Sequence, residues 1–197
     1  MEVSISSFRV DYLKYDNCYH PDVSGKVRYY AMHKALNESG RHIFYSMCNW
    51  GQEESWKWAG PYANSWRTTG DISDNWKSMT SILDKQVGLE VYAGKGGWND
   101  PDMLEVGNGG MTKNEYYAHF ALWCLLKAPL LIGCALDNIS EDTLEILGNT
   151  ELIEINQDSL GVQGTRIKKE IHSEGTTEVW GGKLSDNRYA VIFFNRA

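Results

Sequence analysis

A lysine and an aspartate lie close together in an apolar segment near the start of the chain. Residues 10–16 alternate as a strand does, which places Tyr12, Lys14 and Asp16 on one face. One explanation is an ion pair that closes the end of the strand. The other is a carboxylate that the ammonium keeps ionised, because an opposite charge nearby favours the charged form. An ionised carboxylate is what a nucleophile at the anomeric carbon of a sugar needs.

Two later segments also carry polar or reactive side chains at the ends of predicted strands. Cys48 ends the apolar segment 43–48, and Trp50 shares its face if the strand continues that far. A free cysteine is most often a small apolar residue, but a tryptophan at a solvent-facing strand end needs a partner. Arg67 and Asp71 follow, either as a local ion pair or with the arginine binding a hydroxyl and a carboxylate together.

A pair of aspartates occurs in a glycine-rich segment further along the chain. Asp100 and Asp102 flank Pro101, so they can share a face, and this pattern alone favours one of them as a second catalytic carboxylate. Polar side chains at several strand ends are how a (β/α) barrel builds a site, and two carboxylates there indicate glycoside hydrolysis. The sequence shows no Ser–His–Asp group and no phosphate-binding glycine loop.

Strands and helices alternate over most of the chain, which predicts parallel strands joined by crossover helices. The predicted strands are 10–16, 43–48, 66–70, 89–93 and 129–134. The predicted helices are 27–37, 73–87, 113–126 and 141–147, with a helical turn at 151–156 and a loop at 94–110. After Gly161 the pattern changes to a hairpin with strands 176–184 and 188–195. We therefore expect a barrel domain over 1–160 and the beginning of a separate β-domain over 161–197.

Composition excludes several classes of protein. The 197 residues carry a net charge of −7 without any block of lysine or arginine, so nucleic acid and anionic membranes are not expected partners. No apolar run is long enough to span a bilayer, and residues 1–8 do not form a secretory signal. The four cysteines have neither the spacing of a zinc site nor the density of a disulfide scaffold.

Six segments together resemble glycoside hydrolase family 27, the retaining α-galactosidases, in family order and with family-like spacing. They are residues 12–18, 45–51, 64–72, 96–107, 128–133 and 155–158. The resemblance implies an α/β fold with a partial (β/α)8 TIM barrel, about strands 4 to 8, followed by the first strands of an antiparallel β-domain. The family's first three strands have no counterpart in this sequence.

The resemblance also implies a role for each candidate residue. Asp16 corresponds to the nucleophile and Asp71 to the general acid/base, which moves the second catalytic carboxylate away from the Asp100 and Asp102 pair. The family's substrate-binding positions correspond to Lys14, Cys48, Trp50, Arg67, Asp102 and Met103. Arg67 would in addition orient Asp71, and the bulk of Trp50 favours a bare 2-hydroxyl, and therefore galactose.

The expected reaction is hydrolysis of terminal α-D-galactose residues by double displacement, with retention of configuration and without a metal or cofactor. The implied substrates are α-galactosides of oligosaccharides, polysaccharides or glycoconjugates, and the family is secreted or vacuolar/lysosomal. By the same resemblance, Cys18 would form a disulfide with a cysteine on an earlier strand loop, and that partner is absent from this chain.

Three hypotheses follow for these 197 residues. The chain is an active α-galactosidase that assembles from half-barrels or with a further segment, a truncated fragment without useful turnover, or a galactose-binding remnant. About five strands leave two open barrel edges and an unclosed core, which favours a homo-oligomer through those edges. Asp16 and Asp71 are both intact, which argues against selection for binding alone.

Overall fold

A computed structural model describes residues 9–20 and 22–196, so the expectation that residues 1–8 lack a secretory signal lies outside the described residues. The first sheet is parallel throughout, with its strands side by side in chain order. Its strands are β1 (Tyr12–Asp16), β2 (Phe44–Cys48), β3 (Ser65–Arg67) and β4 (Trp98–Asp100). Crossover segments connect each strand to the next, as the sequence predicts.

Five α-helices lie in the described part of the chain. They are α1 (Gly25–Glu38), α2 (Trp76–Lys85), α3 (Lys113–Leu125), α4 (Glu141–Leu147) and α5 (Thr150–Gln157). Each begins after a polar residue whose side chain accepts a hydrogen bond from a first-turn amide, namely Ser24, Asn75, Thr112, Ser140 and Asn149. Glu115 completes a capping box with Thr112, which explains the sharp start of α3.

The prediction of a strand at 89–93 is wrong. Glu90–Tyr92 is a turn of 3-10 helix, and the side chain of Val91 is 74% exposed. The fourth strand instead lies at Trp98–Asp100, inside the segment predicted as a loop. Its polar Asn99 is buried because the side chain accepts a hydrogen bond from Trp66 Nε1 at 2.7 Å. Apolar content alone therefore pointed to the wrong segment.

The predicted strand at 129–134 is reduced to a single parallel bridge between Leu104 and Ile132. Pro129 has no amide hydrogen to donate, and Gly133 lies so close that an added Cβ would stand 2.5 Å from the carbonyl oxygen of Leu104. The bridge still continues the parallel order beyond β4, because Leu104 follows that strand and pairs with a later segment.

A second sheet, which is antiparallel, follows the barrel elements. It contains β5 (Thr165–His172), β6 (Gly175–Lys183) and β7 (Tyr189–Asn195) in that order. The predicted hairpin is confirmed as β6 and β7. Strand β5 was not predicted; six of its eight residues are exposed. The fold class, a partial barrel followed by β-domain strands, is confirmed; a domain boundary near residue 160 remains a prediction.

The second sheet packs on the barrel helices. Trp180 and Phe194 belong to the same buried cluster as Phe120 and Trp123 of α3. A smaller cluster between α1 and the first strands includes Tyr29. None of the helices within the described residues is both long and apolar enough to cross a membrane.

An ion-pair network joins α2 to this second sheet. Asp84 accepts hydrogen bonds from Arg166 at 2.8 Å and Arg196 at 2.9 Å, and both arginines also contact the buried carboxylate of Glu178. Burial raises the pKa of Asp84, but the hydrogen bonds and charge of the arginines more than offset this, so the net pKa is lowered. The helix that follows Asp71 is therefore held from outside by charged contacts.

Candidate active site

The parallel register brings the predicted site residues to one edge of the first sheet. Asp16 pairs with Cys48 across β1 and β2, and Arg67 pairs with Asp100 across β3 and β4. All four residues are the last of their strands. The carboxyl ends of parallel strands share one edge, so the side chains predicted from separate motifs form one group.

Asp16 is exposed at the end of β1, and its neighbour Asn17 holds it. The amide of Asn17 donates to Asp16 Oδ1 at 2.6 Å, and the thiol of Cys18 is a second hydrogen-bond partner of the carboxylate. The Asn17 side chain is buried between Arg28, which donates to it at 2.6 Å, and Gln52, which accepts from it at 3.0 Å. The backbone thus fixes one oxygen of Asp16, while the residue itself stays exposed.

Lys14 lies two residues before Asp16 and on the same side of β1. Its side chain is partly buried. Its charge lowers the pKa of Tyr12, Cys48 and Asp100, although burial raises each of them more strongly. Lys14 therefore lies within electrostatic reach of the ends of β2 and β4.

Cys48 is buried at the end of β2, where burial raises the pKa of its thiol to about 11. Arg67 Nη1 lies 3.7 Å from its sulfur. Trp50 falls outside the strand, contrary to the expected shared face, because the chain turns there with φ of 58°. The next residue must be glycine, since φ is 76° and a Cβ at Gly51 would stand 2.2 Å from the carbonyl oxygen of Thr68.

Arg67 is almost fully buried and binds two carboxylates. Its Nη2 donates to Asp71 Oδ1 at 3.0 Å and lies 2.7 Å from Asp102 Oδ2, with the Thr69 carbonyl at 3.3 Å. Burial lowers the pKa of Arg67, but the surrounding carboxylates, Asp102 foremost, raise it further, so the net pKa is raised. The side chain of Asp71 is 76% exposed, whereas that of Asp102 is 8% exposed.

Asp102 connects several backbone segments. Its carboxylate accepts from the amides of Ile72 at 2.9 Å and Met103 at 2.8 Å, in addition to its contact with Arg67. Its carbonyl accepts from Trp123 Nε1 of α3 at 2.8 Å. Asp102 has a φ of 94°, a backbone conformation that is unfavourable for this residue type, so these bonds stabilise an otherwise costly turn.

Asp100 lies beneath this group. Its Oδ1 accepts from the amide of Asp102 at 2.8 Å, and its buried Oδ2 has no hydrogen-bond partner among the described residues. Burial raises the pKa of Asp100. Of the three candidates for the second catalytic carboxylate, Asp71 faces solvent whereas Asp100 and Asp102 are buried, which suits Asp71 to proton exchange with a substrate.

The residues that support the two exposed carboxylates were not predicted from the sequence. Asn17 could have been noticed, because it is polar and follows directly after Asp16. Trp123 and His119 gave no signal, since they lie on a helix whose other residues are mostly apolar. His119 is fully buried, and its Nε2 accepts from the amide of Glu105 at 3.0 Å, in the segment that follows Asp102.

Cys18 lies near both exposed carboxylates. Desolvation, the charge of Asp16, a hydrogen bond to Asp16 and the charge of Asp71 raise the pKa of its thiol. None of the four cysteines forms a disulfide within the described residues. A cavity of about 350 Å³ lies elsewhere, at the amino ends of the strands, where Tyr12, Phe44 and Trp98 line it.

The fold defines a partial (β/α) barrel with carboxylates at the carboxyl ends of its strands, and comparisons with known proteins give the family. A family model described as alpha galactosidase A matches residues 3–158. Alpha-galactosidase 2 of Arabidopsis thaliana is 58% identical over 98% of this chain and 48% of its own length. The chain therefore belongs to the α-galactosidases of glycoside hydrolase family 27, and it spans about half the length of the curated relatives that it matches.

Solved structures agree with this assignment. An α-galactosidase from Saccharomyces cerevisiae superposes with a TM-score of 0.92 at 37% identity, over 96% of this chain and 49% of that one. A structure described as α-galactosidase from the same organism with raffinose gives a TM-score of 0.89 at 36% identity, over 96% and 49%. Both support the partial barrel and the antiparallel strands that follow it.

Proposed function

We propose that this chain carries the catalytic pair of an α-galactosidase that removes terminal α-D-galactose with retention of configuration. The observation that carries the proposal is the convergence of Asp16 and Asp71, both exposed, at the carboxyl edge of one parallel sheet. Retaining glycoside hydrolysis uses two carboxyl groups, and a barrel of this type carries its catalytic residues at the carboxyl ends of its strands. Family membership makes galactose the expected sugar.

Asp16 is the proposed nucleophile. Asn17 holds Oδ1 at 2.6 Å, and the exposed carboxylate attacks the anomeric carbon through its other oxygen, Oδ2. Lys14 lies on the same side of the strand, where its ammonium can bind sugar hydroxyls beside the nucleophile. The attack forms a covalent glycosyl-enzyme and releases the leaving group.

Asp71 is the proposed general acid and base. It donates a proton to the leaving oxygen in the first step and removes one from the attacking water in the second. Arg67 Nη2, at 3.0 Å, fixes its orientation. We assign Cys48, Trp50, Asp102 and Met103 to the walls of the sugar pocket, as the family resemblance implies.

The substrate class is proposed from the relatives. One solved relative is described with raffinose, an oligosaccharide that ends in α-galactose. We expect α-galactosides of oligosaccharides, polysaccharides or glycoconjugates to be substrates here as well. The wall that β1 to β4 form is open on the far side of β1, which pairs only with β2 in the described sheet. We expect this edge to favour association of copies, which size-exclusion chromatography would reveal.

The test is hydrolysis of an aryl α-galactoside by the purified chain. We expect turnover that Asp16→Asn abolishes, and release of the α-anomer of galactose when the product is followed by NMR. Asp186→Asn is the matched control, since Asp186 is exposed in the turn before β7 and lies outside the proposed site.

Two results would count against the proposal. Folded, monodisperse protein without turnover would favour a fragment without activity of its own, and galactose binding without turnover would favour a binding remnant. Release of the β-anomer would contradict the double displacement.

A further inference from the structure

We propose that Asp102 acts on the reaction through Arg67, by neutralising the guanidinium so that Asp71 can carry the proton that it donates. The inference rests on the proposed role of Asp71 as general acid. Asp102 is then a positioning and charge-balancing residue, in addition to any contact that it makes with a sugar.

The problem arises from the position of Arg67. A general acid must be protonated when the substrate binds, yet Asp71 lies 3.0 Å from a guanidinium nitrogen. An adjacent cation favours an ionised carboxylate, so an uncompensated Arg67 would work against the first step of the reaction. The arginine cannot relieve the conflict by losing its own proton.

Asp102 resolves this conflict by geometry. The nitrogen that binds Asp71 is also the nitrogen nearest to Asp102, at 2.7 Å. The side chains of Arg67 and Asp102 are both almost buried, whereas Asp71 reaches solvent, so water screens the inner pair less than the outer one. Asp71 therefore faces a neutral ion pair that can still donate a hydrogen bond to it.

Asp102 is also fixed in place. Its carboxylate accepts from the amides of Ile72 and Met103. Ile72 follows directly after Asp71, so Asp102 holds the backbone of the loop that carries the acid. Trp123 Nε1 holds the Asp102 carbonyl from the opposite side.

Other titratable groups surround this set on the neighbouring elements. Cys18, after β1, interacts electrostatically with Asp71, and Cys48 on β2 and Asp100 on β4 interact with Arg67. Lys14 and Asp16 lie on the neighbouring β1, and His119 on α3 accepts from the amide of Glu105, in the segment after Asp102. Burial lowers the pKa of His119 to about 3, so this histidine is neutral at the working pH. Asp74, in the same loop as Asp71, is bound to Tyr116 at 2.8 Å.

The experiment follows the protonation of Asp71 directly. Carboxyl-carbon NMR of the chain labelled with ¹³C-aspartate gives the titration midpoint of each aspartate, and Asp71→Asn identifies the signal of Asp71. In Asp102→Asn we expect the Asp71 midpoint to fall by about one pH unit, the lower end of the effect of an adjacent opposite charge, because Asp71 is exposed. If the chain is active, the alkaline limb of its kcat/KM profile moves down in pH with it.

Trp123→Phe is the matched control. It removes the hydrogen bond to the Asp102 carbonyl but leaves the charge of Asp102, so we expect the Asp71 midpoint to stay where it is in the unmodified chain. An equal shift in both variants would assign the effect to loop disorder and overturn the proposal, as would an unchanged midpoint in Asp102→Asn.

The unmodified chain gives an independent test if Asp102→Asn does not fold. As the pH is lowered, Asp71 must take up its proton before Asp102 does, and the reverse order would overturn the proposal. The titration requires no turnover, so a failure of the proposed hydrolysis remains distinguishable from a failure of this inference.

Discussion

Asp16 and Asp71 lie at the same edge of one sheet, but their surroundings differ. Asp16 is held by the amide of Asn17, whose side chain is bound in turn by partly exposed or exposed residues, Arg28 and Gln52. Asp71 is held by Arg67, whose charge is balanced within the protein. Neutral donors support one carboxylate and a buried ion pair supports the other.

The difference matches the demands of the two proposed roles. A nucleophile remains ionised until it attacks, so backbone donors and a nearby lysine are sufficient. A general acid and base changes its protonation state twice in each cycle, so its support must bind both forms. A buried pair with no net charge does so, but any change that separates its members is costly.

The largest expected effect comes from breaking that pair. Arg67→Ala leaves Asp102 buried without its cation, and we expect a loss of about 3–5 kcal/mol in the free energy of unfolding, measured with urea. Arg41→Ala is the matched control, because the carboxylate that it leaves behind, Asp11, is largely exposed; there we expect at most about 1 kcal/mol. Similar losses of unfolding free energy in Arg67→Ala and Arg41→Ala would show that burial does not make the Arg67 pair more important for stability.

Acid should weaken the Asp71 side through His119. Burial lowers the pKa of His119 to about 3, so the unfolded chain binds a proton below pH ~6.5 that the folded chain does not. The stability is present above that pH and is lost as the pH falls, by about 2 kcal/mol between pH 7 and pH 5. In His119→Gln, the free energy of unfolding measured with urea should not show this loss between pH 7 and pH 5. An equal loss in the unmodified chain and in the variant would contradict the assignment of this pH dependence to His119.

The anchor of Asp102 should matter less than its charge. Trp123→Phe leaves the buried Asp102 carbonyl without a donor, and we expect a loss of about 1–2 kcal/mol in urea unfolding. A loss as large as that in Arg67→Ala would show that packing by α3, and not the ion pair, holds this side of the site.

The Asp16 side should tolerate a comparable deletion best. Asn17→Ala removes two side-chain hydrogen bonds, but Arg28 and Gln52 can turn to water, so we expect a loss of about 1 kcal/mol. If the chain is active, kcat should fall with little change in KM, because Asp16 loses orientation and not substrate contact. A stability loss larger than that of Trp123→Phe would show that the surroundings of Asp16 are less tolerant of change than those of Asp71.

The antiparallel hairpin was predictable because its information is local. Residues 176–184 and 188–195 alternate around a turn of Ser185, Asp186 and Asn187, and β6 and β7 form there. The long helices were predictable for the same reason, since polar caps and apolar spacing lie within each segment. Family-like motifs likewise gave the candidate residues from Lys14 to Met103 in chain order.

Strand β4 was not predictable in that way. Trp98–Asp100 is polar, and it becomes a strand because β3 offers backbone partners and Trp66 offers a donor to Asn99. The apolar segment at 89–93 had no such partners and formed a turn instead. Whether a short segment forms a strand depends on the neighbouring strands that it can pair with, so its own sequence predicts this poorly.

The sequence by itself determined the types of residue at the site, their order, and through resemblance the family to which they belong. Only the tertiary structure decided which residues support which carboxylate. Asp102 and Asp71 are far apart along the chain, and Trp123 lies in the apolar C-terminal half of α3. Their relation depends on parallel register and on burial, and both are properties of the packed sheet and helices, not of any single segment.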